Sequence, residues 1–322
     1  MSSNGFNTPI LLLLFNRLET TKKVVDRIKE VRPNILFLAA DGPRSGIAGE
    51  AERCEQVRRL VLDSIDWPCE VKTLFRDNNL GCGKAVSEAL TWFFQHVEYG
   101  IILEDDTLPG LDFFPFQEFC LKKYKFDDRI FSVNGCSLGY HNKSGDYGAT
   151  RYFNMWGWGT WRRSIELVKT TWSKPTLDKV GLQKNLFLGF FYNNRLWFDH
   201  WYKIFIRVKN GDIDTWDYQF IYTALVANKL SIRPNRNLVI NLGYGVQATH
   251  THDTNTPLAR LTYVELPNVN NIIGNLKTDS LYDINFVGKL WNGIDADGAF
   301  FKIKGKLGSL MRRIIIYLNR FW

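Results

Sequence analysis

Four short strand-like runs separated by helical segments constrain the fold of this chain more than any other feature. Residues 10–15, 35–40 and 100–103 are apolar, while residues 69–75 alternate like a strand, with Val71, Leu74 and Phe75 apolar. Each run ends at polar or turn residues, which is typical of a buried strand, and the segments between them repeat apolar residues every three or four positions, as helices do. Alternating strands and helices over residues 8–110 predict an α/β fold with an open, mostly parallel sheet flanked by helices.

The fourth run leads directly into three consecutive acids, Glu104, Asp105 and Asp106. At a separation of ~5 Å and an effective dielectric of ~20, each pair of carboxylates repels by about 3 kcal/mol. A hard divalent cation with oxygen ligands is the simplest way to offset that repulsion. The carboxyl end of a strand in an open α/β sheet is also where ligands bind. The pattern therefore favours a metal–phosphate site, with a solvated loop or a cap of the next helix as the alternative.

Length and composition limit the class of protein. The 322 residues suffice for one large domain or two small ones, and a content of 45% hydrophobic and 23% charged residues is ordinary for a globular chain. The loop at residues 76–84 has neither the Gly-Lys-Ser/Thr of a P-loop nor the spacing of a dinucleotide fingerprint, because Val86 stands where the third glycine would be. This loop argues against a P-loop NTPase and against an NAD-dependent enzyme.

The five cysteines show no pair spacing typical of a metal site. Their odd number, together with the lack of a recognisable signal peptide, predicts reduced thiols in a cytoplasmic protein. The apolar run at residues 10–15 is far too short to span a bilayer. We therefore expect a cytoplasmic location.

Positive charge is concentrated near residue 322. Six Lys or Arg residues and no acid lie in residues 302–322, within a net charge of +8 for the whole chain. Apolar residues between them recur at helical spacing, which predicts a basic amphipathic helix that lies in a membrane interface. The alternative is a terminal helix packed on the domain. Our hypothesis is peripheral attachment to the cytoplasmic leaflet, with a domain edge near residue 255, where the composition turns polar.

Aromatic residues make up 15% of the chain and are prominent in its second half. Trp156 and Trp158 alternate with small residues, a pattern compatible with two interpretations. One is a core strand with bulky residues on one face. The other, which we favour, is a stacking floor for a sugar ring, with Gly157 and Gly159 allowing the ligand to approach closely. The polar, glycine-rich residues 141–149 predict a mobile loop.

Four motifs in a fixed order resemble a known family. Asn16-Arg17 follows the first strand, Asp41-Gly42 follows the second, an Asn-Asn-Leu-Gly sequence precedes a helix, and the acidic cluster ends the fourth strand. The arrangement resembles GT-A fold glycosyltransferases, and it is similar to the inverting branch that contains the N-acetylglucosaminyltransferase I type enzymes and bacterial polysaccharide transferases. The resemblance implies a GT-A domain over residues 1–254 and a C-terminal extension over residues 255–322. Within the domain, it implies a nucleotide-sugar half over residues 8–110 and an acceptor half over residues 111–254.

The resemblance also implies roles for individual side chains. In similar enzymes the last acid, here Asp106, binds the Mn²⁺ or Mg²⁺ that carries the donor diphosphate, while Asp105 contacts the ribose and Glu104 the nucleotide sugar or nearby backbone. The remaining donor-binding positions that it implies are Asn16 and Arg17 beside the nucleotide, Asp41 at the base, and Lys84 on a helix start facing the donor.

Asp217 is the candidate general base, since inverting transfer needs one base opposite the leaving diphosphate. Residues 215–218 match a Trp-Asp-Asp pattern of the family, except that Tyr218 replaces the second acid. Asp214 is the alternative base, and a helix N-cap is the structural alternative for Asp217. His250, in a late loop that resembles the family's loop near the diphosphate, is a candidate second metal ligand.

These features imply a metal-dependent glycosyltransferase that moves a sugar from a nucleotide-diphospho-sugar, with UDP-sugars favoured, to a glycan or lipid-linked acceptor in surface polysaccharide synthesis. One alternative is a sugar nucleotidylyltransferase, which is disfavoured because the first strand lacks that class's glycine-rich signature. Another is a non-catalytic nucleotide- or membrane-binding protein, which would leave the acids and Asp217 without a role. We expect no nucleic-acid partner.

Overall fold

The computed structural model describes residues 5–180, 195–244, 256–279 and 282–291. Its strands are β1 Ile10–Leu14, β2 Ile35–Ala40, β3 Glu70–Phe75, β4 Tyr99–Glu104, β5 Thr107–Pro109, β6 Ile130–Asn134, β7 Tyr147–Thr150, β8 Trp158–Trp161, β9 Leu230–Pro234, β10 Val239–Asn241 and β11 Gly274–Thr278. Its helices are α1 Leu18–Val31, α2 Glu50–Asp63, α3 Cys82–His96, α4 Phe113–Lys123, α5 Arg162–Trp172, α6 Arg195–Lys209 and α7 Asp217–Val226, with a 3₁₀ helix at Pro257–Arg260 and a π-helix at Tyr282–Trp291.

Nine of the described strands form one sheet, in the order β11-β7-β9-β6-β8-β4-β1-β2-β3. Strands β1 to β4 are mutually parallel, β8 runs antiparallel to β4 and β6, and β7 runs antiparallel to β9. β9 is parallel to β6, and β11 is parallel to β7. β5 and β10 pair separately as an antiparallel ribbon. The predicted open, mostly parallel α/β sheet with flanking helices is confirmed.

Burial explains why the first half folds as its sequence predicts. Every residue of β1 is buried, and so is β2 from Leu36 to Ala40. α1 buries Val24, Val25 and Ile28 in the same core, so its apolar stripe fixes which face meets the sheet. Each fully buried Val, Leu or Ile stabilises the fold by about 1.5–3 kcal/mol. A continuous apolar run flanked by amphipathic helices is therefore favoured as an interior strand of the sheet, with a neighbouring strand on each side.

Parallel pairing brings the carboxyl ends of β1 and β4 to one edge of the sheet. Leu13 lies opposite Glu104 in that pairing, and Leu14 lies opposite Ala40 of β2. β2 and β3 lie on one side of β1, and β4 lies on the other, so the direction of chain winding reverses between β1 and β4. In open α/β sheets the crevice outside the carboxyl ends at such a switch point is the usual ligand site.

Strand β7 corrects the mobile loop predicted over residues 141–149. All four of its residues are buried, and the strand lies between β9 and β11. The Tyr147 hydroxyl is 2.8 Å from both Lys123 Nζ and the Tyr124 hydroxyl. A Cβ at Gly148 would lie 3.3 Å from Arg233 Nη2, so glycine makes room for a buried arginine on the neighbouring strand. Small residues at the centre of a four-residue strand hid it from sequence reasoning.

The described part of residues 255–322 packs against the main sheet. β11 pairs with β7, and Tyr282 and Val287 are buried. The predicted basic helix in residues 302–322 lies outside the described residues. None of the described helices has the length and apolar character needed to cross a bilayer. All five cysteines are free thiols.

Candidate active site

Arg17 and two of the predicted acids meet at the carboxyl ends of β1 and β4. The Phe15 N–H donates a hydrogen bond to Asp105 Oδ2 at 3.2 Å. Arg17 Nη1 lies 3.4 Å from Asp105 Oδ1 and donates a hydrogen bond to Asp106 Oδ2. One guanidinium therefore joins two neighbouring carboxylates, and the sequence-predicted donor residues Arg17, Asp105 and Asp106 form one cluster.

Burial and mutual repulsion disfavour negative charge on all three acids. Burial, followed by the charge of Asp106, raises the pKa of Asp105 to about 7. Burial, then Asp106 and Asp105, hold the pKa of Glu104 well above its usual range. Burial also raises the pKa of Asp106, against the opposing effect of Arg17. A single arginine does not balance this cluster, so an added cation would stabilise its ionised form.

Glu104 differs from Asp105 and Asp106 in the hydrogen bonds that the described residues give to its side chain. Its backbone N–H donates to Thr107 Oγ1 at 2.9 Å. Its half-buried carboxylate, in contrast, accepts no hydrogen bond from the described residues. A partly buried carboxylate without a donor is costly unless a cation binds it. Glu104 is therefore the side chain whose surroundings most favour a bound cation.

The chain after β10, at Leu242 and Gly243, forms one wall of the site, which we call the Gly243 wall. Leu242 N–H donates to the Asp106 carbonyl oxygen at 2.7 Å, and Gly243 N–H donates to Asn241 Oδ1 at 2.6 Å. A Cβ at Gly243 would stand 2.2 Å from Asp106 Oδ2, so only a glycine fits there. Sequence reasoning missed this wall, although a glycine in a short loop is a general signal of close backbone approach.

The carboxylates fit a hard divalent cation. No three His, Cys, Asp or Glu side chains in the described part of the chain are arranged to hold a metal ion together. Asp106 instead offers an oxygen ligand beside Gly243, and the half-buried Glu104 offers a second carboxylate at the end of β4. Mg²⁺ commonly takes one or two carboxylates and completes its shell with water and substrate phosphates, and Mn²⁺ accepts similar ligands. His250, the predicted second metal ligand, lies outside the described residues.

Asp41 holds two loops together at the end of β2. Its carboxylate accepts hydrogen bonds from Leu80 N–H at 3.0 Å, from the Asn79 amide at 2.9 Å and from Gly42 N–H at 2.9 Å. These bonds tie the end of β2 to the loop before α3. The structure therefore gives Asp41 a structural role that the sequence did not predict, and its contact with a base stays a prediction.

Asn16 also has a structural partner. Its amide donates to Glu50 Oε1 at 2.9 Å, and Glu50 is fully buried. Arg44 pairs with the same carboxylate through Nη2 at 2.6 Å, and this hydrogen bond lowers the pKa of Glu50. The Arg44 guanidinium lies 5.6 Å from the Phe15 ring. Sequence reasoning missed Glu50, which fixes the position of Asn16 at the site, and the predicted donor contact of Asn16 stays a prediction.

Asp214 caps α3 from a distant part of the chain. Its carboxylate accepts hydrogen bonds from Cys82 N–H at 2.9 Å and Gly83 N–H at 2.8 Å. A Cβ at Gly81 or at Gly83 would lie 2.6 Å from an Asp214 oxygen, so both glycines are needed for its approach. A carboxylate at a helix N-terminus satisfies orphan N–H groups and interacts favourably with the helix dipole. The structure thus gives Asp214 the role of a cap on α3, and its place as the alternative base stays a prediction.

Asp217 reaches the acidic cluster from the second half of the chain. It is the first residue of α7 and is half-buried, while Trp216 holds the N-cap position. The Thr215 hydroxyl donates a hydrogen bond to Asp217 Oδ1. After burial, Asp106 and Asp105, the charge of Asp217 is the next cause that raises the pKa of Glu104. The structure therefore brings Asp217 close to the acids, and its role as general base stays a prediction.

Lys84 lies in the first turn of α3 and is mostly exposed. Its Nζ is 3.9 Å from Glu88 Oε1, a weak surface pair. Together with Ser87, Asp214 and Gln219 it lines a cleft of about 310 Å³. Lys84 would meet a ligand in that cleft, and its contact with the donor stays a prediction.

The tryptophans belong to the core. Trp158 is 0% exposed and stacks on Trp216 at 5.7 Å between ring centroids, and Trp156 is 7% exposed. A Cβ at Gly159 would lie 2.5 Å from Gln117 Oε1. The glycine therefore leaves room for the packing of α4 and not for a ligand. This packing corrects the predicted stacking floor at Trp158. Trp156 keeps one link to the site, an edge contact of 5.9 Å with Tyr244, the residue after the Gly243 wall.

No protein-family model matches the sequence, and no similar curated protein was found. Among solved structures, the chain is similar to a mannosyltransferase from Pyrobaculum calidifontis in complex with GDP-Man and Mn²⁺, at 14% identity and a TM-score of 0.33. The match covers 52% of this chain and 47% of that one, so it spans about half the length of the mannosyltransferase.

Two other similar structures differ in chemistry. Mouse xyloside xylosyltransferase 1 matches at 9% identity and a TM-score of 0.33, over 78% of this chain and 86% of that one. The inositol-1-phosphate CTP transferase from T. maritima matches at 12% identity and a TM-score of 0.31, over 52% and 75%. A likeness in fold does not fix an activity, so the activity has to be derived from this chain's own residues.

Proposed function

We propose that this protein is a metal-dependent glycosyltransferase that moves a sugar from a nucleotide-diphospho-sugar to a hydroxyl acceptor with inversion. The observation that carries this proposal is the acid surplus at the β1–β4 switch point. Three acids meet a single arginine there, and the carboxylate of Glu104 accepts no hydrogen bond from the described residues. A divalent cation would offset the excess negative charge of the acids and would in turn offer a ligand position to a diphosphate.

Each side chain has a defined task in this proposal. Asp106 and Glu104 would hold the cation, and Lewis-acid stabilisation of the departing diphosphate is the chemistry that such a cation supplies. Asp105, fixed by Phe15 N–H, would face the ribose. Asp217 would take the proton of the acceptor hydroxyl while that oxygen bonds to the anomeric carbon and the bond from that carbon to the diphosphate oxygen breaks.

The partners follow from the resemblance and from the charge of the chain. We infer a UDP-sugar as the favoured donor and a glycan or lipid-linked acceptor, in surface polysaccharide synthesis. The basic residues 302–322 support peripheral attachment to the cytoplasmic face of a membrane, because anionic lipids attract such a segment. Truncation before that segment should lower co-sedimentation with anionic vesicles, and unchanged co-sedimentation would contradict the attachment.

The first test is donor binding and slow donor hydrolysis. A panel of UDP-, GDP- and dTDP-sugars with Mn²⁺ is screened by thermal shift, where a ligand at ~100 times its dissociation constant stabilises the protein by about 2.7 kcal/mol. The best donor is then incubated without acceptor, with Mn²⁺ or with EDTA. We expect hydrolysis with Mn²⁺ only, and Asp106→Asn should slow it by about a hundredfold or more.

Asp63→Asn is the matched control, because Asp63 is an exposed carboxylate at the end of α2. It should leave donor hydrolysis unchanged. Metal-independent hydrolysis, or full activity of Asp106→Asn, would contradict the proposal. Release of pyrophosphate from a nucleoside triphosphate and a sugar 1-phosphate would identify a nucleotidylyltransferase instead, and donor binding without any turnover would identify a binding protein.

A further inference from the structure

Arg17 occupies the position that a bridging cation would take between two carboxylates. Its Nη1 lies 3.4 Å from Asp105 Oδ1 and hydrogen-bonds Asp106 Oδ2. Its side chain is 22% exposed, so it borders the open side of the site. The backbone of Arg17 is fixed separately, since its carbonyl oxygen accepts the Thr21 N–H at 3.1 Å. The side chain therefore reaches to β4 from an anchored backbone position at the start of α1.

Asp106 cannot easily turn away from this arginine. The Gly243 wall closes one side of its carboxylate, where even a single Cβ would lie 2.2 Å from Oδ2. Leu242 N–H holds the Asp106 carbonyl oxygen at 2.7 Å, which fixes its backbone as well. An incoming cation that uses Asp106 thus meets a carboxylate oxygen already bonded to Arg17. Two positive groups that share one oxygen ligand at close range repel each other, so they compete.

We propose that Arg17 is a built-in counter-ion that the divalent cation displaces from Asp106, and that the displaced guanidinium then pairs with the donor diphosphate. The inference rests on the proposed function, since it takes Asp106 as a ligand of the cation. Before binding, Arg17 stabilises the acids. After displacement, its planar fork of donors is available at the same strand edge, and such forks bind phosphate oxygens in pairs. Arg17 is therefore a donor-binding residue that couples cation binding to donor binding.

The coupling gives two effects of opposite sign for one substitution. Removing the charge of Arg17 removes the competitor of the cation, so a protein without nucleotide should bind Mn²⁺ more tightly. The same substitution removes the guanidinium that meets the diphosphate, so UDP should bind more weakly. An arginine that only supports the fold would move both affinities in the same direction or neither of them.

The experiment measures Mn²⁺ and UDP binding with the full chain. Free Mn²⁺ is followed by electron paramagnetic resonance at about pH 8 without nucleotide, in wild type, Arg17→Gln, Arg17→Lys and the control Arg59→Gln. Arg59 is a surface residue on α2, 74% exposed. We expect Arg17→Gln to bind Mn²⁺ about tenfold more tightly, which corresponds to about 1.4 kcal/mol. UDP affinity at saturating Mn²⁺ should fall by about tenfold, as measured by isothermal titration calorimetry.

Each outcome has a defined meaning. Unchanged or weaker Mn²⁺ binding by Arg17→Gln overturns the competition, and unchanged UDP affinity overturns the transfer of Arg17 to the diphosphate. Arg17→Lys keeps the positive charge on a shorter side chain, so it replaces the glutamine variant if that variant does not fold. Like Arg17→Gln, it should raise the affinity for Mn²⁺ and lower the affinity for UDP, but by smaller factors. If wild type binds no Mn²⁺ with or without UDP, the proposed function fails together with this inference. If wild type binds Mn²⁺ and only the variant prediction fails, the proposed function stands.

Discussion

Two regions of this protein bury arginines against carboxylates, and they differ in their balance of charge. At the first region, three acids face one arginine, and the pKa of each acid is raised, in each case chiefly by burial. One of its carboxylates accepts no hydrogen bond from the described residues. We call this region the acidic edge, and it consists of Glu104, Asp105, Asp106 and Arg17.

The second region has as many arginines as acids. The Arg233 guanidinium lies over the rings of Tyr140 and Tyr282, at 4.3 and 4.5 Å from their centroids, and 3.3 Å from Asp279 Oδ2. Asp283 accepts a hydrogen bond from the Thr150 hydroxyl at 2.6 Å. These contacts fasten the chain after β11 to β7 and β9. We call this region the Arg233 cluster, and it consists of Arg151, Arg233, Asp279 and Asp283.

The comparison shows that burial of charge alone does not mark a binding site. Both regions contain an acid whose pKa is raised to about 7, first of all by burial, namely Asp105 and Asp283. The Arg233 cluster is enclosed by aromatic rings and by the chain after β11, so its charges serve the fold. The acidic edge lies at the switch point of the sheet and has an excess of acid, which is the condition under which a cation would bind.

Asp217 gives the strongest test of the acidic edge. Asp217→Asn should lower sugar transfer by about a thousandfold, because the acceptor hydroxyl loses its base, while Mn²⁺ affinity stays within about twofold. Asp214→Asn is the matched control. It weakens the cap of α3 and should cost about 1 kcal/mol of stability. Steady-state transfer and thermal unfolding measure the two effects, and a larger loss of transfer in the Asp214 variant would reverse the assignment.

The Arg233 cluster should govern part of the pH dependence of stability. Burial raises the pKa of Asp283 from 3.8 to about 7, so between those values the folded protein holds a proton that the unfolded chain has lost. Its contribution is therefore most favourable below about pH 4 and is lost as pH rises toward 7, by up to about 4 kcal/mol. Asp283→Asn should flatten this part of the profile of unfolding free energy against pH.

Recording the profile of unfolding free energy against pH with and without Mn²⁺ distinguishes the contributions of the two regions. The Asp283 contribution should be the same with and without Mn²⁺, because the Arg233 cluster has no expected cation site. Asp63→Asn should leave the profile unchanged, since that carboxylate is exposed. Parallel profiles for wild type and Asp283→Asn between pH 4 and 7 would contradict the role of burial at Asp283.

The same contrast explains how far the sequence predicts this molecule. The strands β1 to β4 and the acids at the end of β4 were predictable because their signals are local, namely continuous apolar runs in β1, β2 and β4, an alternating pattern in β3, and charge directly after the apolar residues of β4. The strand β7 was not, because Gly148 has no side chain and its place in the sheet depends on Arg233 of a strand about eighty residues later. Local patterns report burial well when the buried residues are large and consecutive.

The difference between local patterns and long-range contacts also explains which parts of the site could be predicted. Arg17 and the acids were predictable as neighbours, since both lie at strand ends of a parallel pair. The capping of α3 by Asp214 and the wall at Gly243 were not, because each depends on a contact between residues that are 131 or more positions apart in sequence. The pattern Gly81-Cys82-Gly83 predicted a loop. Only the folded structure shows why the glycines are there, which is to leave room for a carboxylate from another segment of the chain.

A substitution at Gly243 tests the contact between the loop after β10 and the acidic edge. Gly243→Ala places a methyl group 2.2 Å from Asp106 Oδ2, so either the loop or the carboxylate has to move. We expect a loss of about 1–3 kcal/mol in unfolding free energy from overpacking, with weaker Mn²⁺ binding because Asp106 shifts. Gly110→Ala is the control, since its nearest atom would be 3.4 Å away, an ordinary contact. Equal stability and equal Mn²⁺ affinity in both variants would show that Asp106 and the loop after β10 are not in contact in solution.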